Sequence, residues 1–599
     1  MVRLPTAALE RARASLTGMA AVVEVGDWYY ADAHGWTLDL RLRHGAPATA
    51  FIPAVTAWHV LVDEEYPWGE VRFLPALVDG VVRTHAHQRF NDGRRAATAR
   101  AGQICLTRPA RDVGRAGDEE TYDASTRLVW YVTRAVDWLN DAVADRLVLP
   151  GEPFELPDYP GAETSRETFA FMESPASLAR WAAAPPCGVA HLRTRGPLTL
   201  VHKFALTQAT FVSELEWHAV GRLAAGTDHG VWVRLPEPPV DRPWHPPARW
   251  GELVALVART GRDLNAEVSD TATRQQHELR DGQSHLLVLG FPVPRLQGGG
   301  HERMHWQALR LPPLADRRTK GGFRPGKEGF RAADRATALR DGEPLRWICS
   351  QNWADDCLTS RGALPADVTC GRILVIGAGS LGACVSEALV RGGARDLVVI
   401  DRDTFAAGNA TRHVLTLANL GDFKAVALAR RLELVSPAAR IEPLPERFPP
   451  SSRSALLTIQ SADLILDTTG SDAVASSVAT LTWKDNARLV SLSFGYAAHR
   501  LFVYSSLAAA FSVDAFHHAL APWLHLERYE PADPFPLEGI GCWHPVFPAR
   551  ADDVWLLAAA GVKAIGDATR DFATKLRVFE QLADGATFLG LREVSLEAQ

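Results

Sequence analysis

The residues best suited to chemistry in this chain begin with three glycines. Gly377, Gly379 and Gly382 stand at the spacing G-x-G-x-x-G directly after the apolar run at 373–376, and a second apolar run ends in Asp401, 19 positions beyond Gly382. Glycines so spaced let backbone N–H groups approach a phosphate, the start of the following helix favours its negative charge, and an acid about 20 residues on reaches a ribose hydroxyl. A nucleotide is the ligand this arrangement suits. By itself the fingerprint serves an NAD-dependent oxidoreductase as well as an enzyme that makes adenylates.

The residues that follow separate these two. Hydride transfer needs a catalytic His, Lys or Tyr beyond the fold, but no second polar cluster straight after the ribose acid. Joining a carboxylate to the α-phosphate of ATP does need one, because charge on phosphate and pyrophosphate must be met by Arg, Lys and a carboxylate-held Mg2+. Asp403, Asn409, Arg412, Lys424 and Asp467 supply these types within one βαβ half-sheet. Taken singly, Arg412 fits a helix cap, Lys424 a surface position and Asp467 a turn. Their joint occurrence favours the chemical reading, and the more so because the chain has only seven lysines, none before Lys203. The plain source of that scarcity is genomic base composition.

Two thiols are candidates for acyl transfer. Cys542 lies in Gly539-Ile-Gly-Cys542-Trp-His544, a glycine-flanked cysteine beside a histidine in an expected loop, which suits a reactive thiol better than a packed one. Cys105 lies in Gly102-Gln-Ile-Cys105-Leu106, where the plain alternative is a small buried hydrophobe. Cys384, on the expected helix after the glycine turn, reads as a packing residue. The seven cysteines form no C-x-x-C pair, which argues against a disulfide framework and against a structural zinc site.

Elements must position these groups. A chain of 599 residues exceeds one core and divides into several domains. A net charge of −6 without a polybasic tail gives no reason to expect nucleic acid. The charged start of the chain is not a secretory signal, and the lack of a long uncharged apolar run leaves nothing to span a membrane, so a cytoplasmic protein is expected. The pattern predicts a helix over 4–19, strands over 21–29, 36–42, 50–62 and 71–77, and a helix over 124–148, an α+β domain filling 1–150. Residues 150–160 are proline-rich and acidic and read as a boundary. An α/β connecting domain over 160–345 follows, with strands expected at 198–204, 230–235, 285–292 and 304–311 and a solvated basic loop at 317–331. From 346 to 599, alternating strands and helices predict a parallel sheet covered on both faces.

The order helix, meander, Tyr66-Pro67, then Gly102-Gln-Ile-Cys105-Leu106 resembles the ubiquitin-conjugating enzyme fold, which implies that Cys105 accepts an acyl group as a thioester. That family's His-Pro-Asn would fall at Arg95 and Ala97, which do not match; His85, His87 and Asn91 stand further upstream. The stretch 377–470 resembles the ThiF, MoeB and ubiquitin-activating adenylation domain, a Rossmann-like parallel sheet, through the glycine turn, Asp401 and Asp403, Asn409 to Arg412 with His413 in place of Gln, Gly421 to Ala425, and Asp467. That resemblance implies that Asp401 holds the ATP ribose, that Asn409, Arg412 and Lys424 hold phosphates, and that Asp467 holds Mg2+. It also implies that Cys542 takes the acyl group from AMP, and that the enzyme is a homodimer with Arg361 as a candidate arginine from the second copy. Together the two ends resemble the conjugating–activating fusion protein of bacterial CBASS antiphage operons. The resemblance implies activation of a partner protein's C-terminus, transfer from Cys542 to Cys105 and then to a lysine, with a cGAS-like nucleotidyltransferase as the protein carried. A sulfur-carrier adenylyltransferase with an unrelated N-terminal domain is the alternative among adenylating enzymes.

Overall fold

In the strand Gly35–Arg43, leucines alternate with charged residues, and Leu38, Leu40 and Leu42 are at most 1% exposed. One face of the first sheet is therefore committed to a core. The structure, a computed structural model, describes the chain apart from residues 1–2, 32–34, 94, 96–97, 107–119, 207–209, 319–325, 528–536, 539–543, 546, 572, 585–586 and 597–599. Two units are distinguished, Met1–Leu215 with Ala225–Asn352 and Glu216–Ala224 with Trp353–Gln599.

The first unit opens with an antiparallel meander of Val22–Val25, Gly35–Arg43, Val55–Val62 and Val71–Pro75, with the short strand Tyr29–Ala31 added to Gly35–Arg43. Helices Ala7–Ser15 and Thr126–Val143 cover it, burying Leu9, Leu16, Trp58, Phe73, Leu128 and Leu139. The strand expected over 21–29 is two strands, broken where Gly26 turns to donate its N–H to the Asp39 carbonyl. The strand expected over 71–77 ends at Pro75, which has no N–H for a ladder. The second helix starts later than expected because the Asp123 carboxylate accepts the N–H groups of Ser125 and Thr126, both at 3.0 Å.

The rest of this unit is a nine-stranded mixed sheet with helices Trp250–Ala258 and Leu264–Arg274 packed on it. Its strand Cys187–Arg195, which the periodicity does not single out, pairs with both Leu198–Ala205 and Gly226–Arg234. The basic stretch expected as a loop ends in a helix: Lys327 begins the helix Lys327–Ala336, and Lys327 and Arg331 both pair with Asp270.

The second unit is built on an eight-stranded sheet. Arg440–Leu444, Asp396–Ile400, Arg372–Ile376, Leu464–Asp467 and Arg488–Phe494 run parallel in that order, and Arg500–Leu507, Lys575–Asp584 and Thr587–Val594 extend it antiparallel. Ile373, Leu374, Val375 and Ile376 are at most 1% exposed, as expected where helices cover both faces of a parallel sheet. The helix Ser380–Arg391 leaves the first of these strands through the glycine turn, and the helix Lys424–Val435 follows the second. Strand order reverses between Arg372–Ile376 and Leu464–Asp467, so a crevice opens at their carboxyl ends.

Candidate active site

A cavity of about 400 Å³ occupies that crevice, lined by Gly377, Gly379, Asp401, Asp403, Lys424 and Thr469 among others. Each glycine has its own reason. Gly377 holds φ +94°, a left-handed turn that side chains resist, while a Cβ on Gly382 would lie 2.1 Å from the Gly377 carbonyl oxygen and 2.4 Å from Thr468 Oγ1. Gly379 has open space where its Cβ would be, on the cavity wall. The residues therefore fit a phosphate cradle at a helix start.

Asp401 is tied in on both oxygens, accepting the Ala378 N–H at 2.7 Å and the Asp403 N–H at 2.7 Å. It fixes the glycine turn to the following loop as well as lining the cavity. Lys424 donates its backbone N–H to the Asp403 carbonyl at 2.8 Å, and its ammonium, with a side chain 12% exposed, lies 3.3 Å from the Asp403 carboxylate. Asn409 caps its own turn, its side-chain oxygen accepting the Ala406 N–H at 3.1 Å. The Arg412 guanidinium sits 5.9 Å from the centre of the Phe547 ring, which stacks on Phe494 at the end of a sheet strand. Neither Asn409 nor Arg412 is on the cavity wall itself. Arg361, exposed on the turn Thr359–Arg361, is not on it either.

His413 is a link that motif reading did not assign. It is buried, donates from Nε2 to the Ala378 carbonyl at 2.8 Å and accepts the Leu415 N–H on Nδ1 at 3.1 Å, so it bridges the glycine turn and the Arg412 loop as a neutral ring. Burial, with Lys424 and Arg431 nearby, holds its pKa below the ordinary histidine range.

Asp467 departs from an open metal ligand. It is 3% exposed, its Oδ1 accepts the Thr469 N–H and hydroxyl at 3.0 and 2.6 Å, and its Oδ2 accepts the Ser491 hydroxyl at 3.0 Å. Burial pushes its carboxyl above the usual range, and Thr468 and Thr469 line the cavity in its stead. The wall is nevertheless rich in oxygen donors (Asp401, Asp403, Glu446, Thr468, Thr469 and Ser471), the hard set that suits Mg2+ shared with phosphates. To join such a set Asp467 would exchange a hydroxyl that it now accepts, that of Thr469 or of Ser491, for the ion.

A larger cleft of about 820 Å³ lies at the opposite ends of the same strands, lined by Arg372, Arg395, Asp396, Asp463 and Lys484. Its charges neutralise one another in pairs such as Arg372–Asp396 and Lys484–Asp463. Size alone does not make it the better nucleotide site.

Of the thiols, Cys384 is buried, and burial pushes it up to about 11, consistent with packing. Cys542 falls outside the described residues; on either side of it Leu537–Glu538 and His544–Pro545 pair antiparallel. Cys105 is exposed, and its N–H donates to the His87 carbonyl at 2.8 Å. The preceding Ile104 is buried, and a Cβ on Gly102 would meet Asn91 Oδ1 at 2.3 Å. The strip 84–91 beside Cys105 is held from outside the meander: Glu155 takes the His87 N–H, Asp158 takes the Phe90 N–H, Glu163 pairs with Arg89, and His245 bonds and stacks on Thr84 and Phe90.

Residues 366–494 match the model of the ThiF family, and residues 145–353 match the model of the Cap2 central linker domain. The chain is 33% identical over 575 residues, 93% of its length and 94% of the relative's, to the ATP-dependent ubiquitin transferase-like protein Cap2 of Enterobacter hormaechei subsp. hoffmannii. It is 34% identical over 96 residues to the sulfur carrier protein adenylyltransferase of Thermus thermophilus, covering 16% of this chain and 35% of that protein. Among solved structures, E. coli MccB with AMPCPP and MccA aligns over 38% of this chain and 65% of that one at 15% identity and a TM-score of 0.27, a likeness on which nothing further rests.

Proposed function

Because this chain belongs to the family of Cap2, the ATP-dependent ubiquitin transferase-like proteins, we propose that it activates the C-terminal carboxylate of a partner protein with ATP and passes the acyl group through two thiols to an amine. The observation that carries the reading is the convergence of Gly379, Asp401, Asp403 and Lys424 on one cavity at the reversal of strand order, in a chain that also exposes Cys105 in its other unit.

In this reading ATP lies with its ribose at Asp401 and its phosphates over the glycine turn, near Lys424, Asn409 and Arg412. Mg2+ neutralises phosphate charge when bound, among the oxygens of the wall and Asp467. The carboxylate attacks the α-phosphorus, forming a C–O–P linkage as the bond to pyrophosphate breaks. Lys424 supports this by placing a positive charge where negative charge accumulates, in a site partly closed to water. Cys542 as thiolate then displaces AMP, Cys105 takes the acyl group by thioester exchange, and a lysine amine receives it. Each thioester retains much of the driving force of the phosphoanhydride, so the amide forms downhill.

The proposal extends to a cGAS-like nucleotidyltransferase as the protein carried, in antiphage defence, to a homodimer with Arg361 supplied by the second copy, and to a cytoplasmic setting. The domain limits 1–150, 160–345 and 346–599 belong to the same proposal. ATP–pyrophosphate exchange that depends on a protein C-terminus tests the first step. Non-reducing gels of Cys105→Ala and Cys542→Ala with ATP test the relay. Hydride transfer with NADH, or full activity of Cys105→Ala as a sulfur-carrier adenylyltransferase would retain, counts against it.

A further inference from the structure

Accepting a lysine at a thioester needs a group that removes a proton from the amine as it attacks. Of the polar residues near Cys105, His85 and His87 can take a proton, whereas the amide of Asn91 is not a base, and only His87 is open to an amine. Asn91 is fully buried and spends its amide N–H groups on the Val81 and Arg83 carbonyls at 2.8 and 3.1 Å. His85 is 4% exposed, lies edge-on to Trp138 at 5.7 Å, and burial pushes it down to about 4.

His87 differs in every respect. Gln88 and Ile104 form an antiparallel bridge, and one step along that register the His87 carbonyl accepts the Cys105 N–H at 2.8 Å. The two residues are thus backbone neighbours at the end of that bridge. The imidazole is 45% exposed. Its residue holds φ +54°, a left-handed conformation uncommon for a residue with a side chain. That conformation is held by one carboxylate: Glu155 accepts the His87 backbone N–H at 3.0 and 3.1 Å and meets ring Nδ1 at 2.9 Å. With Nδ1–H donated to Glu155, the lone pair of the neutral ring is on Nε2.

We propose that His87 is a catalytic residue at the Cys105 thioester, taking the proton of the incoming amine, and that Glu155 is the positioning residue that fixes its tautomer and direction. This rests on the reading that Cys105 carries the acyl group. The amine nitrogen bonds to the thioester carbon and the carbonyl π pair moves to oxygen. His87 Nε2 accepts the surplus proton from nitrogen. The carbonyl then re-forms, the C–S bond breaks, Cys105 leaves as thiolate, and the imidazolium returns the proton to it. The acidic segment 150–160 thereby acquires a function in transfer besides joining two domains.

The groups facing the ring are Glu155, Glu152 and the Leu147 carbonyl, which raise its pKa, and burial, which lowers it. On the same strip Arg89 is two residues away, engaged by Glu163 and Asp158 and within electrostatic range of Cys105. Amine-dependent discharge should therefore rise with pH through a value above the ordinary histidine range.

The test uses the full chain carrying Cys370→Ala and Cys542→Ala, acylated by a fluorescein-diglycyl thioester of mercaptoethanesulfonate and then given free lysine across pH 6 to 9. Label lost with Cys105→Ala shows that Cys105 is the acyl site. His87→Gln is expected to load as the parent does but to discharge to lysine about 100-fold more slowly with a flattened pH profile. His87→Gly, which suits the left-handed backbone, is expected to regain discharge when imidazole is added. Glu155→Gln is expected to move the pH inflection downward. Parent-like discharge and pH profile in His87→Gln and His87→Gly overturn the role of His87. Failure of the parent to load overturns the thioester reading itself, a separate outcome.

Discussion

The nucleotide cavity and the Cys105 face are assembled in opposite ways. The cavity draws its wall from one half of the parallel sheet, residues 376–474, with Gly377, Asp401, Lys424 and Thr468 each at the end of its own strand or the start of its own helix. The Cys105 face has a local frame, Gly102 against Asn91, but its outer groups are held by residues far along the chain: His87 by Glu155 at a separation of 68, and Thr84 by His245 at a separation of 161. A site made within one half of a sheet tolerates change outside it. One assembled from a scaffold domain depends on that domain staying docked.

The largest expected contrast separates the two sites outright. Lys424→Ala should lower ATP–pyrophosphate exchange about 100- to 1,000-fold, while the melting temperature stays close to the parent's because its partly exposed pair with Asp403 stabilises by at most about 1 kcal/mol. Cys105→Ala should leave exchange intact and abolish amine conjugates. Parent-like exchange in Lys424→Ala would break the comparison at its stronger end.

Two glycine substitutions sharpen it. Gly382→Ala drives a Cβ to 2.1 Å from backbone, and Gly102→Ala drives one to 2.3 Å from the hydrogen-bonded Asn91 side chain. Overpacking of this kind costs about 1–3 kcal/mol. Gly382→Ala should lower exchange and, downstream of it, the ATP-dependent Cys105 thioester, whereas Gly102→Ala should lower the Cys105 thioester and leave exchange intact, as read by exchange and non-reducing gels. Loss of exchange in Gly102→Ala would mean that the sites are not independent.

Asp467→Asn is a smaller test. A carboxyl whose folded pKa is raised binds its proton more tightly when folded, so its contribution to stability falls as pH climbs from the unfolded value of about 3.9 through the raised one. Removing that charge should leave the melting temperature at pH 7 equal or higher, yet lower exchange about tenfold if the carboxylate helps to hold the metal. Unchanged exchange would confine Asp467 to its hydrogen bonds with Thr469 and Ser491.

The smallest effect is at His413. Its folded pKa is depressed, so the stability it contributes is present above about pH 6.5 and is lost as pH falls toward the folded value. His413→Gln should match the parent above pH 7 and resist acid better below pH 6.5, by about 1 kcal/mol or less, in melts followed by circular dichroism.

Most of the cavity was legible because its requirements are local. A left-handed turn, a close approach of helix to strand and a carboxylate at a strand end each select particular residues at fixed spacing. The strand Cys187–Arg195 was not legible: its apolar residues are mixed with His191, Arg193 and Thr194, and its burial comes from two neighbouring strands. Nor was the shielding of Asp467, which depends on Ser491 from the adjacent strand at 3.0 Å.

The sequence by itself determined the glycine turn, the acids at strand ends and the thiols, because residue type and near spacing settle what a backbone segment can do. Tertiary structure decided which of those groups face a cavity, which of His85, His87 and Asn91 stand beside Cys105 in the open, and which carboxylates hold them. Those outcomes depend on burial and on contacts between segments far apart in the chain, and no local rule of spacing encodes either.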